Sequence, residues 1–195
     1  MRKLVVLTFV SLDGVMQAPG GKGEDPSDGF DLEGWAVPHF DEAVGAEMER
    51  QMRPPFDLLL GRRTYEIFAS YWPHHDSPIN DARKYVVSHG EIRSEWDGTV
   101  PVSGDVVAAI RRLKAEDGPM LQVHGSSVLI QTLLANDLVD ELWLKIFPVV
   151  LGTGKRLFGG GVVPAAFRLK DSNVTPSGVI FASYERAGKV ELGSF

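Results

Sequence analysis

Gly61-Arg62-Arg63-Thr64 follows directly on Leu58 to Leu60 and leads into Thr64, Tyr65, Ile67 and Phe68, which recur at helical spacing. An apolar run closed by glycine reads as a strand covered on both faces, so strand passes into helix within about four residues here. A helix start carries unpaired N–H groups and partial positive charge. Glycine admits close approach of a ligand, and the guanidiniums add planar forks matched to phosphate oxygens. The chemistry predicted is anion binding, with a solvated turn as the alternative. The same order of strand, glycine and helix returns at MLQVHG followed by Val128, Leu129, Leu133 and Leu134, bringing Gly125, Ser126 and Ser127 to a second helix start. Asp13-Gly14 after the first apolar segment and Ser88-His89 after KYVVS are further polar residues at segment ends.

Other clusters carry less. His74-His75-Asp76 are three adjacent side chains that cannot converge on one ion, and no second cluster with ligand spacing exists, so no metal site is expected. GTGK at 152–155 lacks the earlier glycine and the following Ser or Thr of a phosphate loop. Ser126-Ser127 lacks the final glycine of a nucleophile elbow. His124, at a strand end, can donate a proton or serve as a hydrogen-bonded rim residue. With no cysteine, disulfides, thiolate zinc sites and a cysteine nucleophile are excluded, and a reducing compartment fits. A net charge of -6 and basic runs of no more than two or three residues argue against nucleic acid or an acidic membrane surface as partner. The apolar runs are too short to span a bilayer, and LVVLTFV followed by SLDG reads as a strand rather than a signal peptide. A cytoplasmic location is expected.

The elements that must position these residues follow from periodicity. Lys3 to Val10 is a central strand, and Ser11 to Pro38, rich in Gly, Pro and Asp, is a long loop of a length usually found in lids, binding loops or disordered segments, read here as a binding loop. Phe40, Ala43, Val44, Met48 and Met52 step as a helix that stops before Pro54-Pro55. KYVVS is a strand. Val106, Val107, Ile110 and Leu113 mark a helix capped by Ser103 or Asp105 and stopped at Gly118-Pro119. ELWLKIF and VVL flank Pro148 as a strand that breaks into a glycine-rich loop, and FRLKDSNV and VIFASYER form a C-terminal hairpin across Pro176-Ser177-Gly178.

With 44% hydrophobic residues, 195 residues suffice for a single domain spanning 1–195. Strands alternating with helices predict an α/β fold: a mainly parallel sheet flanked by helices, with the antiparallel hairpin at its edge. Ligands of such sheets sit beyond the carboxyl ends of the strands, which gathers Asp13, Gly14, Gly61 to Thr64, Ser88, His89 and Gly125 to Ser127 along one rim. A rim with two glycine-led helix starts and arginines has the shape to hold a dinucleotide.

SLDG, LLLGRRTYE, KYVVS, VHGSSVLIQTLL, LVDELWLKIFPVVLGTGKRLF and the closing hairpin, taken in order, resemble the dihydrofolate reductase superfamily. The closer resemblance is to its branch related to the reductase domain of riboflavin biosynthesis, and it covers nearly the whole chain. It implies a mixed, mainly parallel eight-stranded sheet, an NADPH cofactor and hydride transfer to a heterocyclic or carbonyl substrate. By the same resemblance, Gly61, Arg62, Arg63 and Thr64 bind the cofactor phosphates, Ser88 helps hold the adenosine 2′-phosphate, and Gly125, Ser126 and Ser127 meet the pyrophosphate. Asp13 and Gly14 border nicotinamide and substrate. The W-x-x-P-x-D acid of dihydrofolate reductases falls one residue late, at Asp41 after Trp35-Ala36-Val37-Pro38-His39-Phe40, which turns it by about 100° on a helix start. Where riboflavin-type reductases often carry Glu before the second turn, this chain has His124.

The expected function is therefore NADPH-dependent reduction of a small heterocycle, pteridine, pyrimidine or flavin-like, with Asp13 and then Asp41 as the catalytic candidates. The alternative is a non-enzymatic nucleotide-binding or ligand-binding module on the same fold. Related reductases commonly dimerise, so a homodimer is expected.

Overall fold

A computed structural model describes residues 1–93 and 95–194; Ser94 and Phe195, inside the expected 1–195 domain, lie outside the described residues. Eight strands form one sheet: β1 (Leu4–Ser11), β2 (Phe56–Gly61), β3 (Lys84–Val87), β4 (Thr99–Val102), β5 (Met120–His124), β6 (Glu141–Phe147), β7 (Ala166–Val174) and β8 (Ile180–Gly188). Four helices cover it: α1 (Glu42–Gln51), α2 (Arg62–Tyr71), α3 (Val106–Ala115) and α4 (Ser127–Ala135). The strand order is β4-β3-β2-β5-β1-β6-β8-β7. All pairings from β4 to β6 are parallel, whereas β8 runs antiparallel to both β6 and β7. This is the mixed, mainly parallel eight-stranded sheet expected from the sequence, with helices on both faces.

The leucine triplet shows why β2 is central. Leu59 packs with Leu4, Val6, Ile110 and Leu133 on the α3/α4 face, whereas Leu58 and Leu60 pack with Tyr65 and Val86 on the opposite face, and all three leucines are fully buried. Each such burial is worth about 1.5–3 kcal/mol, so both faces anchor the strand from which the Gly61 turn departs. The opposite face also holds Val44 of α1 against Phe147 and Phe181.

Helix starts follow local chemistry. Asp41 caps α1 by accepting from the Val44 N–H at 2.8 Å, and Asp105, one of two expected caps, accepts from the Ala108 N–H at 3.0 Å. β4 is a strand that periodicity did not mark. It is short and carries Pro101, which is tolerated because β4 is an edge strand. VVL after Pro148 is not a strand. Its backbone instead ties to the first loop, the Leu12 N–H donating to the Val149 carbonyl at 2.8 Å.

Candidate functional site

A cleft of about 850 Å³ opens at the carboxyl ends of the parallel strands. Gly61 to Thr64, Ser88 and Gly125 to Ser127 all line it. β2 and β5 are neighbours, so the two strand-to-helix turns lie side by side: the Gly61 N–H donates to Ser126 Oγ at 2.9 Å. Gly125 (φ 53°) and Ser126 (φ 66°) both adopt left-handed backbone to make the second turn. Thr64 packs directly over this turn, its side-chain atoms 3.6 Å from where a Cβ on Gly125 would stand, an ordinary contact distance, so the demand for glycine here comes from the backbone conformation. Neither Gly61 nor Ser126 caps its helix with a side chain. The starts of α2 and α4 thus present backbone N–H groups and positive dipole ends toward one space, the requirement for holding linked phosphates.

The arginines stand at the mouth. Arg62 and Arg63 are about half exposed, and Arg63 Nη2 lies 3.0 Å from Asp25 Oδ1. Asp25 belongs to the long Ser11–Pro38 loop and is held by Lys155, whose Nζ lies 2.7 Å from Oδ2, and by the Ser27 hydroxyl. Gln17 ties the same loop down, donating to the Asp25 and Ser27 carbonyls and accepting from the Lys155 N–H. Trp35 donates to the Gln17 carbonyl at 2.7 Å and packs edge-on against Phe147. The loop is therefore a fixed wall of the cleft, to which it contributes Met16 to Pro19, Glu24 and Asp25. Ser88, buried at the end of β3, spends its hydroxyl on Gly90, donating to the carbonyl at 2.7 Å and accepting from the N–H at 3.1 Å. A further acid, Asp105 at the start of α3, lines the cleft on that side.

Three expected residues lie elsewhere. Asp13, Gly14 and Asp41 are not among the residues lining the cleft. The Asp13 carboxylate accepts from Ser11 Oγ at 2.6 Å and from the Leu151 and Gly152 N–H groups at 3.1 and 2.9 Å. Those donors hold it down at about 2, so it remains a carboxylate that clamps two loops together. Gly14 is part of the same turn, donating to the Ser11 carbonyl and accepting from the Leu157 N–H, each at 2.9 Å. Asp41 caps α1 and accepts from the Ser177 N–H at 3.0 Å, and these donors likewise lower it. The one-residue offset from the dihydrofolate reductase pattern has placed this acid at the cap instead of the pocket. Its neighbour Phe40 stacks on Phe147.

Beyond the two helix starts the cleft becomes apolar, walled by Leu7 and Phe9 of β1, Met48 of α1, Met52 and Phe68. Three polar side chains interrupt it: Gln51 of α1, His124 of β5 and Lys145 of β6. Burial pushes His124 down to about 3, with the nearby Lys145 charge lowering it further, so it is a neutral ring at physiological pH and has no imidazolium proton to give. Gln122 Nε2 donates to the Gln51 carbonyl at 3.2 Å, which turns Gln122 Oε1 toward His124 Nε2 at 3.0 Å. Nε2 must then carry the hydrogen, leaving Nδ1 as an acceptor. Lys145 and Gln51 were hidden in the sequence within a strand and a helix. The available signal was polarity at inward positions of otherwise apolar patterns.

The model of the RibD C-terminal domain matches residues 2–181. The chain belongs to that family. Among relatives of the RibD C-terminal domain family member described above, the uncharacterized protein YyaP of Bacillus subtilis (strain 168) is 25% identical, covering 96% of each chain. YwjB of the same organism is 29% identical over 87% of this chain and 90% of its own. A crystal structure of a candidate riboflavin biosynthesis protein from Shewanella sp. PV-4 superposes with a TM-score of 0.67 at 26% identity, covering 95% of this chain and 99% of that one. Dihydrofolate reductase from Enterococcus faecalis, complexed with NADP(H) and RAB-propyl, superposes at 0.62 with 12% identity over 94% and 96% of the chains, a likeness of fold alone. At the coarse level, membership of the RibD C-terminal domain family supports an oxidoreductase. Among the described residues no helix is long and apolar enough to cross a membrane, and no cluster of His, Cys, Asp and Glu could hold a metal ion.

Proposed function

We propose that the protein is an NADPH-dependent reductase of a small planar heterocycle. The observation that carries this reading is the contact between two uncapped helix starts, at Gly61 and Ser126, in a cleft that continues into an apolar pocket. The N–H groups at the start of α2, with Thr64, and those at the start of α4, with Ser127, would hold the pyrophosphate. Arg62 and Arg63, beside Ser88, would hold a 2′-phosphate, Arg63 exchanging its Asp25 partner for the phosphate. Asp25 keeps Lys155 and Ser27 when that exchange occurs, so no carboxylate is left bare. Bound NADPH supplies hydride, and the protein's own groups position the acceptor and exclude water around it. Phe9, Met48 and Met52 provide apolar walls suited to a flat ring.

Calorimetric titration with NADPH and NADH tests the reading. Replacing both arginines, Arg62→Ala and Arg63→Ala, should weaken NADPH by about ten- to a hundredfold, since each exposed charged hydrogen bond contributes in the range of about 1 kcal/mol, and leave NADH within about threefold. Equal losses for both nucleotides would remove the 2′-phosphate contact. NADPH binding without oxidation in the presence of any pteridine, pyrimidine or flavin-like acceptor would assign the fold to ligand binding instead.

A further inference from the structure

Two buried lysines lie on this sheet, and they are treated differently. Lys84 of β3 is fully buried, and its Nζ donates to the Asn80 and Asp97 carbonyls at 2.5 and 2.8 Å while lying 4.4 Å from the Trp96 ring centroid. That ammonium is satisfied by the fold. Lys145, only 4% exposed, has no hydrogen bond or ion pair among the described residues. The Phe9 ring lies beside it, 5.6 Å from Nζ to the centroid. An ammonium on a largely buried stem that reaches a cleft and has no protein acceptor is costly to keep charged, which makes it a candidate ligand-binding group.

The groups around Lys145 do not complete it. Phe9 of β1 and Phe181 of β8 are its partners across the sheet and carry no charge. From α1, Glu47 attracts it at a distance, yet the Glu47 carboxylate already takes two hydrogen bonds from Arg50, at 2.8 and 2.5 Å. From β5, His124 is neutral and its Nε2 is engaged with Gln122. Burial therefore lowers Lys145 to about 7, where the ammonium form is still available to a ligand that stabilises it. A second, independent orphan shares this end of the cleft. Both amide atoms of Gln51, a residue 4% exposed, are buried without a hydrogen-bond partner. The carboxylates that do line the cleft, Glu24, Asp25 and Asp105, are on the loop and at the α3 start and are engaged with the Gly20 N–H, Lys155 and the Ala108 N–H respectively.

We propose that Lys145, assisted by Gln51, is the specificity-determining residue of the cleft: its ammonium donates to a carbonyl oxygen on the edge of a flat heterocycle, while the Gln51 amide meets the neighbouring ring N–H. The cleft then selects neutral or anionic rings that present an acceptor and rejects protonated amidine edges. A cationic edge would face a like charge, with no free carboxylate to receive it. This rests on the reductase reading for the catalytic use of the cleft, but the binding chemistry stands on the residues alone.

The test uses a matched pair of probes, quinazoline-2,4-dione and quinazoline-2,4-diamine, titrated into the full chain at pH 6.5 and compared with Lys145→Met and Gln51→Leu. The dione is expected to bind the wild type more tightly than the diamine. Lys145→Met should cost the dione about tenfold or more, the loss of a charge-assisted hydrogen bond, and should improve the diamine. The dione should also shield Lys145 from acetic anhydride, read by mass spectrometry at pH 8. A dione affinity unchanged in Lys145→Met, a wild type that prefers the diamine, or an unshielded Lys145 would each overturn the assignment. Unaltered far-ultraviolet circular dichroism of the variant separates a lost contact from a lost fold. NADPH is titrated in parallel: its failure to bind would remove the reductase reading, whereas failure of the dione alone would remove only this one.

Discussion

Replacing Lys145 by methionine should stabilise the protein, and by an amount that vanishes as pH rises. Burial lowers the amine from an ordinary 10.5 to about 7. At about 1.4 kcal/mol per pH unit, that difference corresponds to about 5 kcal/mol at most. Contact of the cleft with water and relaxation around the amine bring the expectation down to about 2–4 kcal/mol. The sign follows from the proton count. Between pH 7 and 10.5 the unfolded chain holds a proton on this lysine that the folded chain has lost, so wild-type stability rises with pH over that window. Below pH 7 both states are protonated and the full cost of the buried ammonium is present. Methionine has no such cost and fills nearly the same volume beside Phe9 and Phe181. Urea unfolding of wild type and Lys145→Met at pH 6, 8 and 9.5, followed by tryptophan fluorescence, should therefore show the variant ahead by about 2–4 kcal/mol at pH 6, with the gap narrowed to about 1 kcal/mol at pH 9.5. Taking the difference between the two proteins cancels the titration of every other lysine and tyrosine. Parallel stability curves, or a variant that is weaker at pH 6, would refute the argument that this ammonium is held without partners.

Asp13→Asn should lower the melting temperature, because a carboxylate accepting from Ser11, Leu151 and Gly152 is replaced by a group with one acceptor oxygen, at a cost of about 1–3 kcal/mol. NADPH affinity should stay within about twofold in calorimetry. Since the donors hold Asp13 at about 2, its contribution to wild-type stability is present above pH 4 and is lost as pH falls from about 4 to 2, a decline the variant should lack in acid titrations. Gly125→Ala forces a Cβ onto a residue at φ 53°, a left-handed backbone that L side chains rarely adopt, so about 1–2 kcal/mol of stability and at least tenfold of NADPH affinity should be lost, checked by thermal melting and titration.

The end of the cleft built from the two helix starts was legible because its parts are local. Leu58 to Leu60, Gly61 and the following helical spacing specify a strand, a turn and a helix start within one short stretch, and the second copy at Gly125 follows the same grammar. Parallel neighbours then necessarily bring both turns to one rim. The edge strand β4 escaped because a four-residue strand containing proline has no pattern to read. The acids misled for a related reason. Asp13 stands at the expected place along the chain and Asp41 one residue beyond it, but a carboxylate flanked by free N–H groups is captured by the nearest of them, here those of Leu151, Gly152, Val44 and Ser177, three of which lie over a hundred residues away.

Lys145 and Gln51 were concealed by the opposite circumstance. Within ELWLKIF one lysine does not disturb the strand, and in EAVGAEMERQ one glutamine does not disturb the helix. Their meaning depends on what the sheet puts beside them: Phe9 and Phe181 across the ladder, a neutral His124 and a Glu47 already committed to Arg50. A lysine with four such neighbours is largely buried without gaining protein acceptors, whereas Lys84, on β3 four strands away from β6, has its carbonyls supplied by the turn at Asn80 and by Asp97. The difference between a structural and a ligand-seeking buried cation is thus a matter of the carbonyl groups within about 3 Å, which only the folded chain determines.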